Sequence, residues 1–107
     1  MYRTFSSDRS GSRFSDIIKR AVWNKANIVP GQDSNIVRSD TCGARIEWNQ
    51  YGITNHLGTG WEIDHIIPIS LGGSDDFNNL QPLQWENNRG KGDNQPNSWS
   101  CAVVGKR

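Results

Sequence analysis

Asp64 and His65 stand side by side, and the carboxamides Asn79 and Asn88 follow them in order within one short stretch of the chain. A carboxylate next to an imidazole, inside a segment that otherwise reads as a buried strand, needs a chemical reason to be there. Hydrolysis of a phosphodiester would supply one. That reaction needs a base to deprotonate water, a cation to offset charge on the phosphorane and the leaving oxygen, and rigid positioning of both. Imidazole, whose unperturbed pKa is roughly 6.5, can act as the base near neutral pH. Asp64 offers a hard anionic oxygen and Asn88 a neutral carbonyl oxygen, a pair suited to magnesium or manganese. Two protein oxygens completed by water and a substrate phosphate would hold such an ion weakly until substrate arrives.

The elements that must carry these groups can be read from polarity. Trp61 to Ile67 alternates as a strand, with Trp61 and Ile63 on one face and Glu62 and Asp64 on the other. The alternation fails at His65, which predicts a bend or bulge there, and Pro68 ends ordinary ladder pairing. On this reading Glu62 faces solvent or pairs with a basic neighbour. Ser70 to Asp76 is a loop, Asn79 to Leu83 a second strand, and Gln84 or Trp85 to Lys91 a short helix that Gly90 weakens. Upstream, Phe14, Ile17, Ile18, Ala21 and Val22 recur at helical spacing, so an amphipathic helix is expected over about Phe14 to Lys25. Ala44 to Trp48 reads as a strand and Ile36 to Arg38 as an edge strand or a tether. His56, in the intervening loop, reads as a solvated side chain.

With 107 residues, 34% hydrophobic and 21% charged, and eleven glycines, the chain is expected to be one small α+β domain with long loops. The formal net charge of +1 conceals an asymmetry. Residues 1–25 hold six basic and two acidic side chains, a net of +4, which leaves −3 for the remainder. Residues 1–12 combine Ser, Arg, Asp and Gly and are expected to form a flexible basic arm ahead of a single domain over 13–107. Arg13 and Arg20 are expected to contact nucleic acid. Cys42 and Cys101 are far apart and neither belongs to a Cys-x-x-Cys pair, so a cysteine-built zinc site fails on ligand count. Ordinary thiols are the expected state, with a disulfide between them the minority reading. No apolar run reaches membrane-spanning length and the polar start is not a secretory signal, so the expected compartment is the cytoplasm.

Taken together, Asp-His-Ile-x-Pro-x-Ser from Asp64, the Gly72-Gly-Ser-Asp75 loop, Asn79-Leu-Gln, and Asn88-Arg-x-Lys-Gly-Asp93 resemble the HNH, or His-Me finger, nucleases. The similarity covers about residues 61–96. The stretch Asn88-Arg-Gly-Lys-x-Asp-Asn94 also resembles the HNH domain of RNA-guided CRISPR nucleases. The resemblance implies a ββα-metal core in which Asp64 and Asn88 ligate one divalent ion, His65 is the general base, and Asn79 orients His65 or its loop. It also implies endonucleolytic cleavage of DNA to 5′-phosphate and 3′-hydroxyl ends. Many members carry histidine where Asn88 stands and brace the fold with a four-cysteine zinc site. Neither occurs here, so Mg²⁺ or Mn²⁺ is expected without structural zinc, and Trp48, Trp61 and Trp85 are expected to carry more of the packing. Arg89 and Lys91, beside the expected phosphate, are read as backbone contacts. The partner expected is DNA, with RNA open and a homodimer or accessory protein possible, in a chain encoded by a bacterium or phage. The alternative is a non-cleaving nucleic-acid-binding module, or a partner-dependent subunit, with the same fold.

Overall fold

A computed structural model of the chain describes residues 5–105. Its order of elements is α1 (Asp16–Trp23), β1 (Asn27–Ile28), β2 (Val37–Ser39), β3 (Arg45–Glu47), β4 (Trp61–His65), β5 (Leu80–Gln84) and α2 (Trp85–Lys91). Strands β1, β2 and β3 form one antiparallel sheet in that order, and β4 pairs antiparallel with β5 in a second. The register of the second sheet runs from Trp61 opposite Gln84 to His65 opposite Leu80. Pro82 is tolerated in β5 because a two-stranded sheet leaves one edge of it without a ladder to complete. The succession β4, β5, α2 is a ββα unit.

Helix α1 is shorter than the expected Phe14 to Lys25. Ser15 caps it by accepting the Ile18 amide, and beyond Trp23 the backbone tightens as the Lys25 and Ala26 amides donate to the carbonyls of Val22 and Trp23. Its inner face places Val22 and Trp23 in a core with Ala26, Ile46, Trp61, Ile63 and Leu80. Trp23, Trp48, Trp61 and Tyr51 form a continuous aromatic cluster with ring centroids 4.8 to 5.9 Å apart. Tilted and edge-on ring pairs of this kind add to the area they bury. Trp85 is outside that cluster. It is half-buried, its indole donating to the Asn55 carbonyl, and Trp23 fills the place expected of it.

Two expectations about the chain ends change. Of the basic arm, Met1 to Thr4 lie outside the described residues, but residues 5–12 are held to the domain. The Ile63 amide donates to Ser6 Oγ at 2.8 Å, Ser7 bridges Arg13, and Asp8 Oδ1 accepts the amides of Ser10 and Ser12 to close a turn. Composition made this segment look like a solvated tail because most of its contacts are short polar ones. Cys42 and Cys101 are not free thiols: they form a disulfide with Cα atoms 5.9 Å apart. The bond ties the final segment beneath α2, where Asn87 Oδ1 accepts the amides of Ala102 and Val103, each at 2.7 Å. Linear distance misled here, because closure depends on where the fold brings the two ends.

Candidate functional site

Strand β4 is buried on both faces. Trp61 and Ile63 enter the core, while Glu62 and Asp64 turn the other way and are covered by α2. The helix begins directly at the end of β5, where Gln84 caps it by accepting the amides of Glu86 and Asn87. That immediate junction sets Asn88, Arg89 and Lys91 against the outward face of β4.

Glu62, expected to face solvent or to pair with a basic neighbour, is buried and takes Arg89 as that neighbour. Its Oε1 accepts the Asn88 amide nitrogen at 2.8 Å, and its Oε2 accepts the Arg89 guanidinium at 2.8 Å. The contact commits the nitrogen of Asn88, leaving the carbonyl oxygen as the atom with which that side chain could meet a cation. Asn87, the neighbour of Asn88 on α2, points elsewhere. It donates to Asp40 Oδ2 and the Val103 carbonyl, so it holds the tail and takes no part in the pocket. Asp40 itself is a buried hub that sequence reasoning passed over, accepting the amides of Cys42, Ala44 and Gln84 as well.

Asp64 accepts Gln81 Nε2 at 2.9 Å through one oxygen and Lys91 Nζ at 3.3 Å through the other. Burial pushes its carboxyl above the ordinary carboxylate range, against the opposing pull of Gln81 and Lys91. Lys91 is fully buried and donates also to the His65 carbonyl at 2.9 Å. The expectation that it grips nucleic acid is therefore incorrect: it is an internal clamp between α2 and the end of β4. Arg89 keeps 39% of its side chain exposed, with its guanidinium 4.2 Å from the Phe5 ring.

His65 ends β4 at the place where the alternation fails, and 4% of its side chain is exposed. Its Nε2 lies 2.7 Å from Asp75 Oδ1, and the Phe14 ring packs at 6.0 Å. Asn79 does not touch the imidazole. It sits at the end of a single 3₁₀ turn, Phe77–Asn79, just ahead of β5, not inside the strand as expected. Its side chain accepts the Ile67 amide at 2.8 Å and donates to the carbonyls of Ile67 and Ser74. Asn79 thus laces the loop between the two strands. Gly73 permits that closeness, since a Cβ there would lie 1.7 Å from the Ile67 carbonyl oxygen.

Asp64, His65 and Asn88 all line one pocket, together with Phe5, Ser6 and Asp93. Arg13 and Arg20 do not line it. Arg13 is exposed beside the Ser7 bridge, and Arg20 lies 3.6 Å over the Trp48 ring and donates to the Asn35 carbonyl. Among the described residues no group of three or more His, Cys, Asp or Glu side chains is arranged to hold a metal ion. A cation here would rest on one carboxylate and one carboxamide oxygen, a hard donor set that magnesium takes with water and phosphate completing its shell. The buried, incompletely neutralised Asp64 and the free carbonyl oxygen of Asn88 fit such an ion. Lys91 already offsets part of the charge on Asp64, so binding without substrate should be weak.

No curated protein and no solved structure matches the chain. A family model does: the model described as HNH endonuclease matches residues 40–94, from the buried hub at Asp40 through the ββα unit to the end of the pocket. With this match over half its length, and with the motif residues on β4, in the following loop and on α2, the chain belongs to the HNH endonuclease family.

Proposed function

We propose that the chain is a divalent-metal-dependent endonuclease that hydrolyses DNA phosphodiester bonds, with His65 as general base. The observation that carries this reading is the meeting of Asp64, His65 and Asn88 on the wall of one pocket, although they come from two elements on either side of a long loop. Asp64 and Asn88 would hold Mg²⁺ or Mn²⁺, which when bound supplies charge stabilisation at the scissile phosphate and its departing oxygen. His65 takes a proton from water. The water oxygen then bonds to phosphorus in line, and the bond from phosphorus to the 3′ oxygen breaks, its electron pair leaving with that oxygen. A solvent proton completes the 3′-hydroxyl, and the 5′ side keeps the phosphate. Glu62 fixes which end of the Asn88 carboxamide faces the pocket. Asn79 keeps the His65 loop in register, and Arg89, partly exposed over the pocket-lining Phe5, meets the nucleic-acid backbone. Arg13, exposed near the same N-terminal segment, extends that contact.

Supercoiled plasmid incubated with the purified protein tests the reading. Nicking with Mg²⁺ or Mn²⁺, its loss in EDTA, and products that DNA ligase can reseal are expected. Cutting that persists in EDTA would contradict the metal-dependent mechanism. Tight DNA binding with no cutting in either metal would favour a non-cleaving module, and cutting of RNA alone would redirect the substrate.

A further inference from the structure

The geometry points to Asp75 as the residue that sets the protonation pattern of the His65 ring, directing Nε2–H towards itself and leaving Nδ1 as the atom that takes the proton from water. This rests on the reading of His65 as general base and goes beyond it by naming the atom and the residue that selects it.

Neutral imidazole has one N–H and one bare nitrogen, and which is which depends on the hydrogen bond each can make. An ionised carboxylate can only accept. With Asp75 Oδ1 at 2.7 Å from Nε2, the neutral ring satisfies that contact only when its proton is on Nε2. Nδ1 is then an acceptor. His65 is 4% exposed and lines the pocket, so bulk water has little opportunity to exchange the two forms from other directions. Asp75 also stabilises the positive charge that appears on the ring during the reaction, as a carboxylate behind a histidine base does in hydrolytic triads.

Asp75 is itself held on two sides. Its two oxygens both accept the Arg9 backbone amide, each at 3.1 Å, and its own loop is tied through the Asn79 contact to the Ser74 carbonyl. Asn79 therefore reaches His65 indirectly, through the loop that presents Asp75. The segment around Arg9 forms a wall of the same arrangement, because the amide that braces Asp75 belongs to the turn closed by Asp8. Asp75 touches the imidazole and not the reacting atoms, so it is a positioning residue.

Imidazole ¹⁵N spectra of the full chain in Mg²⁺ read the ring directly, with His56→Gln leaving His65 as the single reporter; His56 lies outside the pocket, paired with Glu86. The expected spectrum shows Nε2 protonated and Nδ1 bare. In Asp75→Ala the two nitrogens should move towards an exchange average, kcat should fall on the order of 100-fold, within what general-base catalysis supplies, and KM should stay near wild type. Asp75→Asn, which keeps an acceptor oxygen without the charge, should recover part of both. A wild-type ring spectrum and wild-type kcat in folded Asp75→Ala would overturn the inference, as would a bare Nε2 or a ring protonated on both nitrogens in the wild type. Undiminished cutting by His65→Ala would instead indict the general-base reading, which the ring spectrum does not depend on. If Asp75→Ala fails to fold, Asp75→Asn carries the same comparison.

Discussion

Arg89 and Lys91 stand two residues apart on α2 and were expected to do the same work, yet their surroundings divide them. Arg89 pairs with Glu62 and keeps its outer edge in solvent, over the ring of Phe5, which lines the pocket. Lys91 has no exposed surface and spends its ammonium on Asp64 and the His65 carbonyl. Arg89→Ala should therefore lower the slope of log K against log salt for DNA binding by about 1, the signature of one lost phosphate contact. Lys91→Met should leave that slope unchanged and destabilise the fold by about 3 kcal/mol, because it strands a buried carboxylate. Salt titrations of DNA affinity beside denaturant melts separate the two effects. A salt slope that changes in Lys91→Met would mean that the lysine leaves its internal position to meet DNA.

The elements around the site show how one loop is fastened to α2. Glu86, in the first turn of the helix, accepts the Leu57 amide at 2.7 Å and lies 2.8 Å from His56 Nδ1. Burial alone would push its carboxyl up, but the Leu57 amide, His56 and Gln84 together outweigh it and hold Glu86 below the ordinary value of 4.5. A carboxyl depressed by folding contributes stability that is present above that ordinary value and lost as pH falls through the lower folded value. The protection factor of the Leu57 amide, its exchange rate relative to the unprotected amide at the same pH, should accordingly fall in acid, below about pH 4.5, and Glu86→Gln should flatten that response. No change of protection across that range would show that the carboxylate does not fasten the loop. His56, read from sequence as merely solvated, has this partner because the fold brings α2 beneath its loop. The first strand of the ββα unit was legible because it carries a strong local signal, alternation through Trp61 to Asp64 and its break at His65, and α2 was placed to within a residue, from Gln84 or Trp85 to Lys91. Strand β1 was not, since its two residues owe their conformation to pairing with Arg38 and Ser39. The chemistry divided along the same line. Asp64 and His65 were singled out by their order and types and Asn88 by the register of the resemblance, and the fold brings all three to one pocket, whereas the contacts of Glu62, Asp75 and Gln81 span loops. Lys91 was misassigned because a charged residue at a helix end is usually solvated.

At the scale of the whole molecule, a small domain with long loops is closed by one covalent tie and several polar ones. The disulfide joins residues 59 apart in sequence. Closing a loop of that length restricts the unfolded chain by about 4 kcal/mol in the chain-entropy account. Reduction, or Cys42→Ser with Cys101→Ser, should lower Tm by several degrees and loosen the tail that Asn87 holds, and a thermal melt with and without reductant measures it. An unchanged Tm would mean that the polar contacts of Asn87 and Asp40 suffice. Disulfides persist in oxidising compartments and are rare in the cytosol, which does not sit with the cytoplasmic expectation drawn from sequence. No helix among the described residues is long and apolar enough to cross a membrane. The basic N-terminal quarter is partly built into the domain, through Ser6 at β4 and Arg9 at Asp75, so the charge asymmetry and the architecture of the pocket are not independent. All of this converges on His65, which every element of the site either carries, covers or braces. The most direct measurement is plasmid nicking by wild type and by folded His65→Ala in Mg²⁺, Mn²⁺ and EDTA. The account predicts metal-dependent cutting by the wild type, a loss of at least about 100-fold in His65→Ala, and DNA affinity retained by both. Cutting by His65→Ala at the wild-type rate would contradict it.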